Sequence, residues 1–362
     1  MNTHRRTAIA TAWLMSAPTL ALLAVFTLLP FAMALLLSLT DQRLVSPNAP
    51  RFVGLANYEA LLGIRLIALA PDRAPDGAIL RDERGGARYP SLRDLVRRDP
   101  AYHALRGMQE VTTLPFAERR LVVLARDLVF LKAIGNTLLF VLVAAPLQSA
   151  LALLLALLVN QALPGITLFR AIYFMPVVIS IVVVSMLWQF IYAADHGLLN
   201  ALLARLSFGR FTGTNWLGDP RTALGAILAM SIWQGVGFHM VIWLSGLQTI
   251  NPVLYEVAAI EGANRWQVFR FVTWPSLHET AVLILFVITI QAFSIFSQIK
   301  VMTGGGPLDS TQTIMFQAFQ RGFLRQDTAS GAAISVLFFA LVSSASLLQR
   351  RLTRRRGRSC AV

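Results

Sequence analysis

The chain has 362 residues, of which 56% are hydrophobic and only 14% are charged, whereas soluble domains carry roughly 25% charged residues. This composition excludes an ordinary soluble protein and predicts a membrane protein. The formal net charge is +14, but the basic residues cluster between long apolar runs and after the last of them. That placement is typical of membrane anchoring and argues against nucleic-acid binding.

Six apolar segments are long enough to cross a bilayer, which takes roughly 20 residues per helix. None contains Asp, Glu, Lys or Arg, and His239 is the only other group in them that titrates near neutral pH. We expect six helices, because lipid leaves every backbone polar group to be satisfied internally. The first should be retained, since its apolar run exceeds that of a signal peptide. The segments are 10–39, 133–159, 171–194, 222–248, 281–299 and 329–349.

The distribution of Lys and Arg predicts the orientation. Six crossings place both termini on one side, and that side is the more basic because it includes the Arg-rich tail. The positive-inside rule therefore predicts cytoplasmic termini, in a multi-pass protein of the bacterial plasma (inner) membrane. The predicted organisation is a first span at 1–40, an extracytoplasmic region at 41–132, a core of five spans at 133–349 and a basic tail at 350–362.

Residues 64–127 differ from the rest of the chain, because they are rich in arginine and acidic residues and are punctuated by proline and glycine. We expect a small extracytoplasmic subdomain with short amphipathic helices at 91–98 and 116–131. The alternative is a loosely ordered insertion without a function of its own.

The 251–279 loop follows the fourth apolar segment and is predicted to form a capped helix. Asn251 is a favourable N-cap, and Pro252 suits the first helical position, where no N–H is needed. Gly262 tolerates a positive φ and is placed to end the helix. Three residues of this helix share one face by their i, i+3, i+4 spacing: Tyr255, Ala258 and Ala259.

A second short helix is predicted through Trp266, Phe269 and Arg270, with Pro275 interrupting it. The expected product is a helix–turn–helix on the cytoplasmic face. Its surface mixes apolar and charged side chains, which suits a helix inserted into the groove of a partner protein. The alternative is an amphipathic helix that rests on lipid headgroups.

Several sequence pieces in this order carry a family resemblance. The run Glu256-Val-Ala-Ala-Ile-Glu-Gly-Ala, followed by Pro275, resembles the EAA loop of permease subunits of ATP-binding-cassette (ABC) importers. The longer run from Gly246 to Glu256 is similar to the carbohydrate branch of that family, of the maltose and glycerol-phosphate type. Further matching pieces are Phe52-Val-Gly-Leu-Ala-Asn-Tyr, Asn136-Thr137, Arg170, Pro176, Trp188, Gly197, Asn200 and Thr303-Gly-Gly-Gly-Pro307.

The chain also departs from the family pattern. Val257 stands where alanine is usual, Glu261 where aspartate is usual, and Trp274 where leucine is usual. Lys300 stands where an aromatic residue is common, so the family's ligand contacts near this position do not carry over directly to this chain. Residues 64–127 form an insertion relative to the family.

The resemblance implies an all-α membrane protein with the six-helix type I ABC importer permease fold. It implies a heterodimer with a second permease, two ATPase subunits, and a soluble binding protein that delivers sugar from outside. ATP and magnesium would be bound by the partner ATPase, since this chain has no GxxxxGK[ST] loop; no cofactor, metal site or catalytic residue is predicted for it. The residues implied in ATPase coupling are Tyr255, Glu256, Ala258, Ala259, Glu261, Gly262, Ala263 and Pro275.

Polar and aromatic residues inside two spans are candidates for the sugar path, because intramembrane polar groups are functional candidates by default. The resemblance implies that Trp233, Gly235 and Phe238 occupy sugar-contact positions. The alternative for both groups is helix–helix packing, and a lone His239 is more often a packed polar residue than a proton carrier. The candidates are Trp233, Gln234, Gly235, Phe238 and His239 in the fourth span, and Gln291, Ser294 and Gln298 on one face of the fifth.

Three other functions compete with a sugar permease. A related permease could carry a polyol or glycerol phosphate. A proton-coupled secondary transporter needs ionisable groups within its spans, and a membrane-embedded glycan enzyme needs paired carboxylates, whereas Asp195, Asp219 and Asp309 stand in different loops. The single cysteine, Cys360, excludes an internal disulfide and a cysteine-based metal cluster.

Overall fold

The computed structural model describes residues 3–72, 74, 79–81, 87–116, 119–161 and 164–357. The chain forms two compact units. The first comprises Met1–Leu131 with Ala318–Leu337, and the second comprises Lys132–Gln317 with Phe338–Val362.

The first unit begins with a long apolar helix that contains one irregular turn. Helices α1 (Thr3–Leu23) and α2 (Leu29–Leu37) are joined by the π-helical turn Ala24–Leu28. Pro30 lies at the start of α2, and its missing N–H explains the local change of hydrogen-bond register.

The chain after α2 folds back onto the end of that helix through α3 (Ala56–Leu62). The side-chain amide of Asn57 donates to the carbonyl oxygens of Ser38 and Thr40, at 2.8 and 2.7 Å. The hydroxyls of Ser38 and Tyr58 lie 2.7 Å apart. These bonds satisfy carbonyl groups that a helix end leaves without intrahelical partners, which explains why an asparagine and a tyrosine stand side by side here.

A small antiparallel sheet also belongs to the first unit. Strands β1 (Ile64–Leu69), β2 (Gln109–Phe116) and β3 (Arg119–Ala125) are arranged in the order β1-β3-β2. Between β1 and β2 lie α4 (Leu92–Arg98) and a 3₁₀ turn, Pro100–Leu105. The apolar core of this region contains Leu69, Leu105, Val122 and Leu124.

The helix predicted at 91–98 is confirmed by α4, but the helix predicted at 116–131 is wrong. Its middle part is the central strand β3, which pairs with both neighbours, and only Leu128–Leu131 at its end are helical, as the start of α5. The run Leu121–Leu124 is short, apolar and partly β-branched, which favours a strand between strands over an isolated amphipathic helix. The expectation of an all-α chain therefore missed this sheet, although the rest of the chain is mostly helical. The extracytoplasmic position of the region stays a prediction.

The second unit is built from helices. Three of them, α5, α15 and α16, have some of their residues in the first unit. In chain order the helices are α5 (Leu128–Val159), α6 (Ile166–Val178), α7 (Ile181–Ile191), α8 (Leu198–Leu206), α9 (Ala223–Gln248), α10 (Pro252–Ile260), α11 (Arg265–Val268), α12 (Trp274–Ser276), α13 (His278–Phe293), α14 (Ser297–Met302), α15 (Ile314–Phe319) and α16 (Thr328–Gly357).

The predicted membrane spans are found among the described residues. Five helices are long and apolar enough to cross a bilayer, and a bent helix pair forms a sixth candidate. They are Thr11–Leu37, Leu128–Val159, Ala223–Gln248, His278–Met302 and Thr328–Arg351, with Ile166–Val178 and Ile181–Ile191 as the pair.

The third span, predicted as one helix over 171–194, is broken. Helices α6 and α7 meet at an angle of 97°, and Ile179 between them has an extended backbone. Pro176 lies inside α6 and lacks the N–H of a regular helix. The carbonyl of Ile179 lies at the break itself and accepts a hydrogen bond from the side chain of Gln234 in α9, at 3.4 Å, so the break lies where another helix can satisfy it.

Helix α9 packs at the centre of the second unit. Trp243 is almost fully buried and donates from its ring nitrogen to the carbonyl of Ser149 in α5, at 3.1 Å. A Cβ at Gly237 would collide with the carbonyl oxygen of Tyr173 in α6. The glycine is therefore needed for the close approach of two helices.

An ion pair in the first unit provides a test of this architecture. Asp127 pairs with Arg321, each side chain being 15% exposed, and the carboxylate also accepts from the N–H of Phe130 at 2.9 Å, capping α5. We expect Asp127→Asn to lower the unfolding free energy by about 1–2 kcal/mol, because the charge pair is lost while the amide oxygen still caps. Asp127→Ala should lower it by about 1 kcal/mol more, because the cap is also lost. The thermal unfolding midpoints of the purified variants measure this difference. Equal midpoints for the Asn and Ala variants would contradict the capping role.

Candidate functional site

The first helix of the 251–279 loop has the predicted caps. The side chain of Asn251 accepts from the N–H of Val253 at 3.1 Å, with proline at the next position. At the other end Gly262 has a φ of 71°. The N–H groups of Gly262 and Ala263 bond the carbonyls of Ala259 and Ala258, at 3.1 and 2.9 Å, which is the Schellman pattern of a helix end.

The second part of the loop is also helical, as expected, but its irregularity takes a different form. Asn264 and Gln267 form a reciprocal capping box, at 2.9 and 2.7 Å. After α11 the chain makes a π-helical turn, Phe269–Thr273, and then continues into α12. Pro275 therefore does not end the helix; the π turn absorbs its missing N–H.

The surface of the 251–279 loop is exposed and mixed in character. Helix α10 has no fully buried residue, and its contact with the second helix includes a 3.2 Å bond between the hydroxyls of Tyr255 and Thr273. Ile260 is 85% exposed and Trp266 is 64% exposed. Glu256, like Glu261, is exposed as well. A nine-residue helix is marginal in isolation, so this one depends on its caps and leaves an apolar and acidic surface available.

A second candidate site lies inside the second unit. We call it the central cavity: it has a volume of about 260 Å³ and lies between α5, α9, α13, α14 and the α6–α7 break. Its walls combine aliphatic groups such as Ile181 and Ile288 with uncharged polar groups. The polar side chains that line it are Gln148, Ser231, Gln234, Gln291 and Gln298.

One wall of the central cavity is built around a glycine. A Cβ at Gly235 would collide with the side-chain amide of Gln148. Nδ1 of His239 lies 2.8 Å from the carbonyl oxygen of Gly235 and 3.1 Å from the amide nitrogen of Gln148. His239 is fully buried, so it holds the amide in place from behind while Gln148 lines the cavity.

The structure brings only part of the predicted sugar path together. Four of the eight predicted residues line the central cavity: Gln234, Gly235, Gln291 and Gln298.

The other four predicted path residues lie elsewhere. Trp233 is 42% exposed and contacts Trp188, with ring centroids 5.4 Å apart. Phe238 stands edge-on to His239 at 5.3 Å. The hydroxyl of Ser294 donates to the carbonyl of its own helix, at Ile290, at 3.0 Å.

The predicted common face of Gln291, Ser294 and Gln298 is wrong. Helix α13 ends at Phe293, and α14 begins at Ser297, so a single helical period does not run through the segment. The two glutamines still reach the cavity from either side of the break, whereas Ser294 is used to bond the last turn of α13.

Gln148 and Ser231 were missed by the sequence reasoning. Each is a polar residue inside an apolar span, which is the signal that could have found both. The hydroxyl of Ser231 is buried and makes no hydrogen bond in the described part of the chain. It is therefore available to a ligand in the cavity.

Comparison with known families decides the identity of the chain. Residues 121–358 match the family described as binding-protein-dependent transport system inner membrane component. The chain belongs to this family. The resemblance to permease subunits of ABC importers is thereby confirmed, and the chain is a multi-pass membrane permease.

Individual relatives are named as permease proteins of sugar transport systems. The trehalose/maltose transport system permease protein of Thermococcus litoralis is 35% identical over 215 residues, which is 59% of this chain and 72% of the relative. The lactose transport system permease protein of Rhizobium radiobacter is 33% identical over 273 residues, which is 74% of this chain and 89% of the relative.

A chain of a solved transporter shares the fold. It belongs to a bacterial ABC transporter involved in the import of the acidic polysaccharide alginate, is 24% identical, and superposes with a TM-score of 0.57 over 63% of this chain and 80% of its own. This likeness shows the fold, and it confirms the predicted type I importer permease architecture.

The packing of Gly235 against Gln148 can be tested by a double substitution. We expect Gly235→Ala to lower the unfolding free energy by about 1–3 kcal/mol, because the added methyl group displaces the Gln148 amide from His239. In the Gln148→Ala background the same change should be milder, because the colliding group is gone. Thermal unfolding of the four proteins of this cycle measures the coupling.

Gly225→Ala is the matched control for this cycle. It lies in the same helix, and a Cβ there has no heavy atom within 4 Å. We expect no loss of stability from this change and up to about 1 kcal/mol of gain from helix propensity. If the losses of unfolding free energy from Gly235→Ala and Gln148→Ala simply add in the double variant, the contact between the two residues is contradicted.

Proposed function

We propose that this permease is one transmembrane subunit of an ATP-driven importer and translocates a sugar, as a mono- or oligosaccharide. The observation that carries the proposal is the central cavity. Amides and hydroxyls both donate and accept hydrogen bonds, as sugar hydroxyls do, and the aliphatic walls suit the C–H faces of a sugar ring.

The chemistry of the described cavity lining also argues for a neutral solute. No charged side chain is among the residues that line it, whereas a phosphate-bearing solute is usually bound by Arg or Lys. This favours a sugar over glycerol phosphate. The relatives named for trehalose/maltose and lactose transport agree with this choice.

In this proposal the 251–279 loop couples the permease to a partner ATPase. Its exposed apolar side chains and acidic groups are a surface that a cleft in an ATPase subunit could accept, with Glu256 making charge-assisted bonds. Tyr255 and Gly262 fix the shape of the loop, and closure of the ATPases then moves the helices behind it. The small side chains of the loop allow close docking of the partner; they are Ala258, Ala259 and Ala263. The proposed coupling residues also include Glu261 and Pro275.

The remaining partners follow from the same proposal. A second permease would form a heterodimer with this chain, two ATPase subunits would bind ATP and magnesium, and an extracytoplasmic protein would deliver the sugar. Both termini and the 251–279 loop would be cytoplasmic, in agreement with the excess of Lys and Arg on that side. A reporter fused to either terminus, active only in the cytoplasm, tests this orientation.

Substitutions in the 251–279 loop test the coupling role in the reconstituted importer. We expect Glu256→Arg to reduce ATP-driven uptake about tenfold or more, since a lost hydrogen bond to a charged group is worth about 1.5–3 kcal/mol. Gly262→Val should also reduce uptake, because a β-branched residue resists a positive φ, while Gly262→Asn should retain most of it. Uptake and binding-protein-stimulated ATP hydrolysis are measured together.

Gly209→Val is the matched control for strain. Gly209 has a φ of 80°, and a Cβ added there, like one added at Gly262, would have no heavy atom within 4 Å. The change imposes the same backbone strain outside the loop, so uptake should persist. If Gly209→Val and Gly262→Val impair uptake equally, the loop has no special coupling role.

Substitutions in the central cavity test the sugar path. We expect Gln291→Ala and Gln298→Ala each to lower kcat/KM for uptake about fivefold, the factor for a hydrogen bond of about 1 kcal/mol. Ser294→Ala is the control, because its hydroxyl bonds its own helix and does not line the cavity. Similar losses in all three would count against the cavity as the path.

A further inference from the structure

A second and larger cavity lies in the same unit as the central cavity. We call it the vestibule: it has a volume of about 640 Å³ and is lined by the N-terminal half of α5, by the start of α9 with the two residues Pro220 and Arg221 before it, and by the loop after α14. Since α9 continues from this end to the 251–279 loop, the vestibule lies at the opposite end of that helix. Its polar lining consists of Lys132, Asn136, Arg221, Asp309 and Ser310.

The wall of the vestibule is fixed by hydrogen bonds. The amide of Asn136 donates to the carbonyl of Gln312 at 2.9 Å, and the hydroxyl of Thr137 accepts from the N–H of Ile314 at 3.0 Å. The side chain of Gln312 in turn donates to the carboxylate of Asp309, at 3.2 Å. The loop is therefore tied to α5, and Asp309 is held in position at the cavity.

One face of α5 connects the two cavities. Residues spaced by four along a helix lie one above another, and α5 presents such a series from the vestibule to the central cavity. Lys132 and Asn136 line the vestibule, Ala144 and Gln148 line the central cavity, and Phe140 lies between them and lines both.

Phe140 is the single residue shared by the two linings in the described part of the chain. It is 3% exposed and packs in an apolar cluster with Ile227, Ile295 and Phe316. The next residue of the series, Ala144, is small, so space opens directly beyond the ring. An apolar constriction between two polar compartments excludes water and hydrated solutes until it moves.

We propose that Phe140 is the gate between two stations of the translocation path, and that the vestibule is the first of them. This rests on the proposed function for the nature of the solute: a polyhydroxylated molecule whose hydroxyls accept from Lys132 and Arg221 and donate to Asp309. It then passes the ring of Phe140 to reach the amides of the central cavity. The rival explanation is that Phe140 only fills the core.

Thiol labelling of the whole importer in sealed vesicles separates these explanations. In a Cys360→Ser background, Ser231→Cys places a reporter thiol in the central cavity and Leu224→Cys places one in the vestibule. A membrane-impermeant methanethiosulfonate reagent is added from the vestibule side. We expect the vestibule thiol to react quickly and the central thiol slowly while Phe140 is present.

Replacing the ring should open the central cavity. We expect Phe140→Ala to raise the labelling rate of the central thiol on the order of tenfold, which corresponds to a barrier lower by about 1.4 kcal/mol. The vestibule thiol should react at an unchanged rate. Leu139→Ala is the matched control, since Leu139 lines the vestibule but not the central cavity, and it should leave the central thiol protected.

Two results would overturn the proposal. One is a central thiol that reacts as fast as the vestibule thiol with Phe140 in place; the other is a central thiol whose rate is the same with and without the Phe140→Ala substitution. If Phe140→Ala lowers the thermal midpoint by unfolding the chain, Phe140→Val replaces it, because valine lacks the ring and is much shorter, and an unchanged rate in that folded variant also overturns the proposal. Labelling needs no sugar, so absence of sugar uptake by the parent importer would contradict the proposed function and not the gate.

Discussion

The structure depends on one constraint, which is that a backbone carbonyl or N–H inside lipid must find a partner within the protein. Regular helices meet it by themselves, and at two helix ends of the second unit a side chain from another helix meets it instead. At the break between α6 and α7 the partner is Gln234, which donates to the carbonyl of Ile179. Near the end of α14 it is Gln189, which donates to the carbonyls of Val301 and Met302 at 2.8 and 3.3 Å. Polar side chains are thus present where helices end, and these are the places where cavities can form.

The same constraint gives the glycine-rich segment after α14 its form. The chain there makes tight turns, with φ values of 61° and 90° at Gly304 and Gly305, and it cannot use helical hydrogen bonds. Thr311 replaces them: its hydroxyl donates to the carbonyl of Gly306 at 2.7 Å and lies 2.7 Å from the hydroxyl of Thr303. These bonds hold the loop in place where it forms a cavity wall.

A structural feature could be predicted from the sequence where it is determined by residues close together in the chain. The caps of α10, at Asn251 and Gly262, follow from the residues that form them and were predicted correctly. So were the spans, because length and apolarity decide them. The strand β3 was misjudged because pairing with two other strands overrides a local helical pattern. The break in the third span was missed because the side chain that bonds its carbonyl, Gln234, lies 55 residues further along the chain.

The cavity residues show the same limit. Gln234, Gln291 and Gln298 were found because polar residues inside spans are few, and Gly235 was found from its position in the family pattern. Trp233 was proposed on family position, yet in the fold it contacts Trp188 and does not line the central cavity. The fold alone shows that Gln148 reaches the same cavity from α5, because no spacing along the chain relates it to His239.

Helix α9 joins the two functional regions into one mechanical element. It is unbroken from Ala223 to Gln248, so Gln234 lies about 20 Å along the axis from its end, at 1.5 Å per residue. The 251–279 loop begins three residues later. The half of α9 nearest the loop is packed tightly against two neighbouring helices. Trp243 is hydrogen-bonded to α5, and a Cβ at Gly246 would collide with Thr280 of α13. A force applied at the loop must therefore shift this packed block as a body. In the proposed mechanism the wall that holds the sugar moves with the surface that contacts the ATPase.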